Sequence, residues 1–162
     1  MITNIKTLEQ TLQANEFAIT AEIPAPISAS AAEMEEKIDL LAGHVHAINV
    51  TDNPGATAHM SSLAGCSIVR NKGIDPIFQV TCRDRNRLAI QSDLMGASAL
   101  GINNVLTLGG DPVKNGDHPD AKAVFDINSK KILSIMQSMN NQGETMSGRK
   151  LQTKSSFFKS SA

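Results

Sequence analysis

The sequence predicts an α/β fold built on a parallel sheet, and three observations carry that expectation. Short stretches of alternating apolar and polar residues are separated by stretches with helical periodicity, in strict succession. Four such strand–helix pairs follow one another, and a crossover helix between successive strands sets them parallel. Each strand also closes on polar residues: Glu22, then Thr51-Asp52-Asn53, then Gln79-Val80-Thr81, then Gly109-Gly110-Asp111.

The first strand is read in "FAITAEIP", 17–24, with Phe17, Ile19, Ala21 and Ile23 on one face and Thr20 and Glu22 on the other. "SASAAEMEEKIDLLAG", 28–43, follows as an amphipathic helix. Ser30 and Glu33 have capping-box spacing, Met34, Ile38 and Leu41 form the stripe, and Gly43 marks the stop. "HAINVTD", 46–52, is the second strand; "DNPG" breaks it, and a mixed helical segment runs from about 56 to 70. "DPIFQVTC", 75–82, is the third strand. It leads into a helix over 84–101, with Asp84 as N-cap and Ile90, Leu94 and Ala97 as its stripe. "NNVLTLGGD", 103–111, is the fourth strand. The fourth helix is expected over 121–140, burying Phe125, Ile132, Ile135, Met136 and Met139. "SSFFKSSA", 155–162, reads as a fifth strand that has only begun.

A doubly wound sheet and an eight-stranded barrel both open with such units. The strand faces favour the barrel. Thr20 and Glu22, Asn49 and Thr51, and Gln79 and Thr81 give each strand a polar face. A doubly wound sheet is covered by helices on both sides and runs apolar throughout. In a barrel one face looks inward, and its last residues line a pocket at the C-terminal mouth. The expected fold is therefore a parallel β/α (TIM-type) barrel with about its first four βα units in residues 1–162. An open part-barrel leaves two unpaired edges. A homo-oligomer, or a partner chain that completes the barrel, is expected to cover them.

Composition narrows the function. A net charge of −1 with 19% charged residues offers no basic patch for nucleic acid. Aromatics make up 3%, without Trp or Tyr, so no stacking platform for single strands is expected. Cys66 and Cys82 read as buried reduced thiols. His44, His46, His59 and His118 lack metal-ligand spacing, and no metal is expected. The start, "MITNIKTLEQ", does not read as a signal peptide, and no apolar run reaches the ~20 residues of a membrane span. A cytoplasmic location is expected. No Walker loop or Gly-x-Gly-x-x-Gly follows a strand.

Ligands of parallel sheets bind beyond the carboxyl ends of the strands. There, Gly109 and Gly110 remove side chains where backbone must approach a ligand, Asp111 adds a carboxylate, and Pro112 stops the strand. "CRDRNR", 82–87, reads as a capped, solvated first helical turn.

The run "VTCRDRNRLAIQSDLMGASALGINNVLTLGGDP", 80–112, closely resembles the methylenetetrahydrofolate reductase family. "TAEIPAP", "INVTDNPGATAHMSSLAGCSIV" and "GRKLQTKSSFFKSSA" resemble it in the same order. The resemblance implies an eight-stranded barrel with a flavin at its C-terminal mouth, FAD rather than FMN. It implies hydride transfer from NAD(P)H to the flavin and on to 5,10-methylenetetrahydrofolate, giving 5-methyltetrahydrofolate for one-carbon metabolism and methionine synthesis. By resemblance Glu22 is the general acid and Thr51 contacts the flavin. Gln79 belongs to the flavin site, where some members carry His. Leu108-Gly109-Gly110-Asp111 cradles the isoalloxazine and pterin, with Asp111 tuning both. Asp52, Asn53 and Thr81 complete the expected cofactor-binding set.

The chemistry suits these residue types. Opening the imidazolidine ring needs a proton on the leaving nitrogen, which a carboxyl in a partly dry pocket supplies. Reduction of a flavin builds negative charge that backbone N–H groups meet. The family's barrel continues for about as many residues again, so the chain is read as an N-terminal half that ends as the fifth strand begins. The alternative reading is a non-catalytic remnant, or a binding subunit that needs a partner chain.

Overall fold

A computed structural model describes residues 6–162; part of the "MITNIKTLEQ" start therefore lies outside the described residues. The elements are α1 (Leu8–Gln13), β1 (Thr20–Ile23), α2 (Ala32–Leu41), β2 (Ala47–Val50), α3 (Ser62–Asn71), β3 (Asp75–Thr81), α4 (Arg87–Ala99), β4 (Asn104–Leu108), α5 (Ser129–Asn141) and β5 (Phe158–Ser161). The five strands are parallel and lie side by side in chain order, β1-β2-β3-β4-β5. A doubly wound sheet reverses its strand order at a switch point. This sheet has no reversal, which is the order of a barrel wall. Among the described residues β1 and β5 each pair on one side only.

The two faces of the sheet carry separate cores. On the helix side, Ile48, Val50, Phe78, Val80 and Val105 pack against Met34, Ile38, Val69, Ile90, Leu94 and Ile132. On the other side Ala47 and Ile77 pack with Leu8, flanked by Ala18 and Leu106. Helix α1, whose six residues are too few for a periodic signal, brings Leu8 there, and the Leu8 amide donates to Asp75 Oδ2 at 2.9 Å. That plug sits at the amino end of β3. It leaves the inner face at the carboxyl ends open for a ligand.

Several expected boundaries move, each for a local reason. β1 begins at Thr20, and Phe17 is 86% exposed, outside the ladder. The Ser30–Glu33 capping box does not form: Ala31 takes the cap position in helical backbone, and Ser30 Oγ accepts from the Ala32 amide at 3.2 Å. α3 starts at Ser62 behind its cap Ser61, while Pro54–Ala56 make a separate 3-10 turn. Asn86, not Asp84, caps α4, taking the amides of Leu88 and Ala89. α5 starts at Ser129, so Phe125 is not part of its buried face; it is half exposed at φ 40. The Val124 and Phe125 amides instead donate to the carbonyls of Arg83 and Cys82, tying this loop to the end of β3. Glu144 and Lys150 close a small antiparallel bridge between α5 and β5.

Candidate active site at the carboxyl ends of the strands

Every site residue named from the sequence except Asn53 lines one cavity of about 450 Å³ at the carboxyl ends of β1 to β4; Pro54 and Arg83 join them. Asn53 stands behind the wall, where its side chain accepts from the His59 amide and donates to Asp84. A larger cavity of about 890 Å³ between α4 and residues 145–155 contains none of the strand-end side chains. The smaller one is therefore the candidate site.

Glu22 and Gln79 meet across the inner face. Gln79 Nε2 donates to Glu22 Oε2 at 2.8 Å, and the Gln79 carbonyl accepts from Ser62 Oγ at 2.8 Å. Gln79 is buried, while Glu22 is exposed. The partly dry surroundings expected for this carboxyl are thus not supplied by the described residues.

Asp52 and Thr81 are turned onto each other. Asp52 Oδ2 accepts from the Thr81 amide at 2.8 Å and Thr81 Oγ1 at 2.9 Å, and it pairs with Arg85. Arg85 also reaches Asp93 at 3.0 Å. These groups build wall, with their polar atoms largely spent on one another. Two buried side-chain atoms here have no hydrogen-bond partner among the described residues, Arg85 Nε in the wall and Thr51 Oγ1 beside it. Behind this wall burial pushes the Cys66 thiol well up, the Asp52 charge adding to it, and burial also raises Cys82. Both are free, buried and poorly disposed to ionise.

Arg83 overturns the reading of "CRDRNR" as a solvated turn. Its side chain is 2% exposed. Nε donates to Asp84 Oδ1 at 2.6 Å and Nη2 to Asp84 Oδ2 at 2.7 Å. Nη2 also reaches the Asn53 carbonyl at 3.0 Å, and Nη1 the Asp111 carbonyl at 3.4 Å. Sequence reasoning missed this residue because a basic, acidic, basic run has no burial signature.

The Arg83 hydrogen bond holds the Asp84 carboxyl below the usual aspartate range, with Asn53 adding to it. A depressed folded pKa contributes stability above the unfolded pKa, near 4, and loses it as pH falls through the lower folded value. The Asp84 carboxylate signal in a carbon-13 titration is therefore expected to show a midpoint below the ordinary aspartate value. A midpoint at or above the ordinary value would show that the pair is not formed in solution.

Asp111 ties its loop to the one after β2. Its Oδ2 accepts from the Gly55 amide at 2.9 Å, and the Asp117 carboxylate takes the Ala58 amide at 3.2 Å. Gly116 lies so close to the other loop that an added Cβ would fall 1.9 Å from the Ala56 carbonyl oxygen. The loops after β2 and β4 are thus clasped over the end of β3. The two glycines after β4 also separate. A Cβ on Gly109 would meet nothing within 4 Å. Gly110 has φ 96, and a Cβ there would lie 2.9 Å from Arg83 Cβ. Gly109 leaves room in the cavity, whereas Gly110 is required by the backbone and by Arg83.

Among the described residues no group of three or more His, Cys, Asp or Glu side chains is placed to hold a metal ion. No helix among them is long and apolar enough to cross a membrane. Among curated proteins, no sequence matches this chain. The family model for methylenetetrahydrofolate reductase matches residues 7–149, which include all four strand ends of the cavity and stop short of β5. With most of its length matched and its strand ends gathered in one mouth, the chain belongs to the methylenetetrahydrofolate reductase family.

Proposed function

We propose that the chain is a flavin-dependent oxidoreductase, with FAD as its flavin, that reduces 5,10-methylenetetrahydrofolate to 5-methyltetrahydrofolate with NAD(P)H. The observation that carries this reading is the buried, unpartnered Thr51 hydroxyl in the cavity that holds Glu22 and the open side of Gly109. A buried hydroxyl without a partner costs about 1–3 kcal/mol, which a polar ligand atom relieves. A flat ring system needs the bare backbone that Gly109 offers. The residues present therefore fit the flavin.

Thr51, Gln79 and Leu108 to Asp111 would hold the isoalloxazine; the Asp52–Thr81 wall fixes the loop behind them. The flavin, when bound, relays hydride from the nicotinamide to the folate. Glu22 supplies the proton. Its Oε2 is engaged by Gln79, which leaves Oε1 to carry a proton to the nitrogen released when the imidazolidine ring opens. Asp111 Oδ2 is spent on Gly55, and Oδ1 remains to accept from the amino edge of a pterin. We also infer that the outer edges of β1 and β5 are covered in the working protein, by more of the same barrel, a second copy or a partner chain, because barrels abolish such edges.

The test uses protein purified natively, so that any chain paired along β1 or β5 is retained. FAD binding is followed in the visible spectrum, then anaerobic bleaching by NADH or NADPH, then recovery of the flavin band on adding 5,10-methylenetetrahydrofolate. Bleaching followed by recovery supports the reading. A flavin that bleaches and does not recover with the folate overturns the substrate assignment.

A further inference from the structure

We propose that Arg83 is a positioning residue that locks the loops after β2 and β4 into the arrangement the flavin site needs, an inference that rests on the flavin reading above. Burying a guanidinium is costly unless its donors are satisfied. The need of Asp84 does not explain it, since that side chain is 32% exposed and has water available. What the burial achieves is geometric. One planar fork reaches three loops: Asn53 after β2, Asp84 after β3 and Asp111 after β4.

The rest of the residue serves the same joint. The Arg83 carbonyl accepts from the Val124 amide at 2.8 Å, which adds the loop before α5. Gly110 folds against Arg83 Cβ with no room for a side chain. Arg83 itself borders the cavity beside Thr51, Leu108 and Gly109. A lysine has three donors on a point charge and cannot span the three loops at once. The pair with Asp84 also neutralises the guanidinium, so the joint adds shape to the site and little net charge.

The test compares wild type with Arg83→Met, Arg83→Lys and the double variant Arg83→Met/Asp84→Asn. Amide hydrogen exchange without flavin reads the joint directly. The Gly55 and Ala58 amides, which hold the clasp, are expected to exchange about tenfold faster in all three variants. The His46 amide, which donates to the Ile19 carbonyl at 2.8 Å at the far end of the sheet, is expected to stay protected and reports that the sheet is intact. The FAD dissociation constant, from quenching of flavin fluorescence, is expected to rise about tenfold in parallel. If Arg83→Lys or the double variant restores both wild-type exchange and wild-type affinity, Arg83 only neutralises Asp84 and the inference fails. If wild type binds no FAD, the flavin reading falls, and exchange alone still decides whether Arg83 holds the loops.

Discussion

Glu22→Gln is expected to lower the folate half-reaction by at least ~10²-fold while leaving FAD binding and its reduction by NAD(P)H close to wild type. The substitution is close to isosteric. The new amide oxygen still accepts from Gln79 Nε2, so the contact across the inner face survives. What is lost is a transferable proton at Oε1. Reduction of the flavin needs no proton from this position, whereas ring opening of the folate does. Stopped-flow measurement of the two half-reactions separates them. If Glu22→Gln instead blocks reduction by the nicotinamide and spares the folate step, Glu22 positions the cofactor and is not the acid. The exposure of Glu22 adds a condition: whatever lies over the mouth during turnover must dry it, because the described residues leave it open to water.

The wall of the barrel was legible because periodicity is a local property. β3 reads as a strand from "IFQVT" alone, and burial of Phe78 and Val80 on one side with Ile77 and Gln79 on the other confirms its two faces. The alternation at Glu22, Gln79 and Thr81 also carried the site, since those residues stand at the carboxyl ends of parallel strands whatever else surrounds them. Contacts between loops were not legible. Asp111 and Gly55 are 56 residues apart, and no pattern at either position announces the other. Arg83 was misread for the same reason: its partners Asn53 and Asp111 come from two other loops, and only the assembled parallel sheet brings them within reach. Phe125 was misread in the opposite sense. Its apolar side chain matched a helical stripe, yet its amide is used by the Cys82 carbonyl before α5 begins.

Gly109→Ala and Gly110→Ala are expected to fail in opposite ways, although the residues are neighbours. Gly109 does not have a positive φ, and its added methyl would meet nothing within 4 Å. Stability should therefore change by no more than about 0.5 kcal/mol, as for a surface substitution away from special features. The methyl would stand in the cavity, where the flat ring of the flavin needs the bare backbone. FAD affinity is expected to fall by at least about tenfold, the cost of forcing one overpacked contact. Gly110 is the reverse case. Its φ of 96 lies where an alanine is strained, and its Cβ would press on Arg83 Cβ at 2.9 Å and Thr81 Cβ at 3.3 Å. That strain costs about 1–3 kcal/mol before any ligand is present. Thermal unfolding without flavin, followed by FAD titration of each variant, reads both quantities. A Gly109→Ala protein that binds FAD like wild type would place the ring elsewhere than against this turn. A Gly110→Ala protein of wild-type stability would mean that the loop relaxes away from Arg83 at no cost.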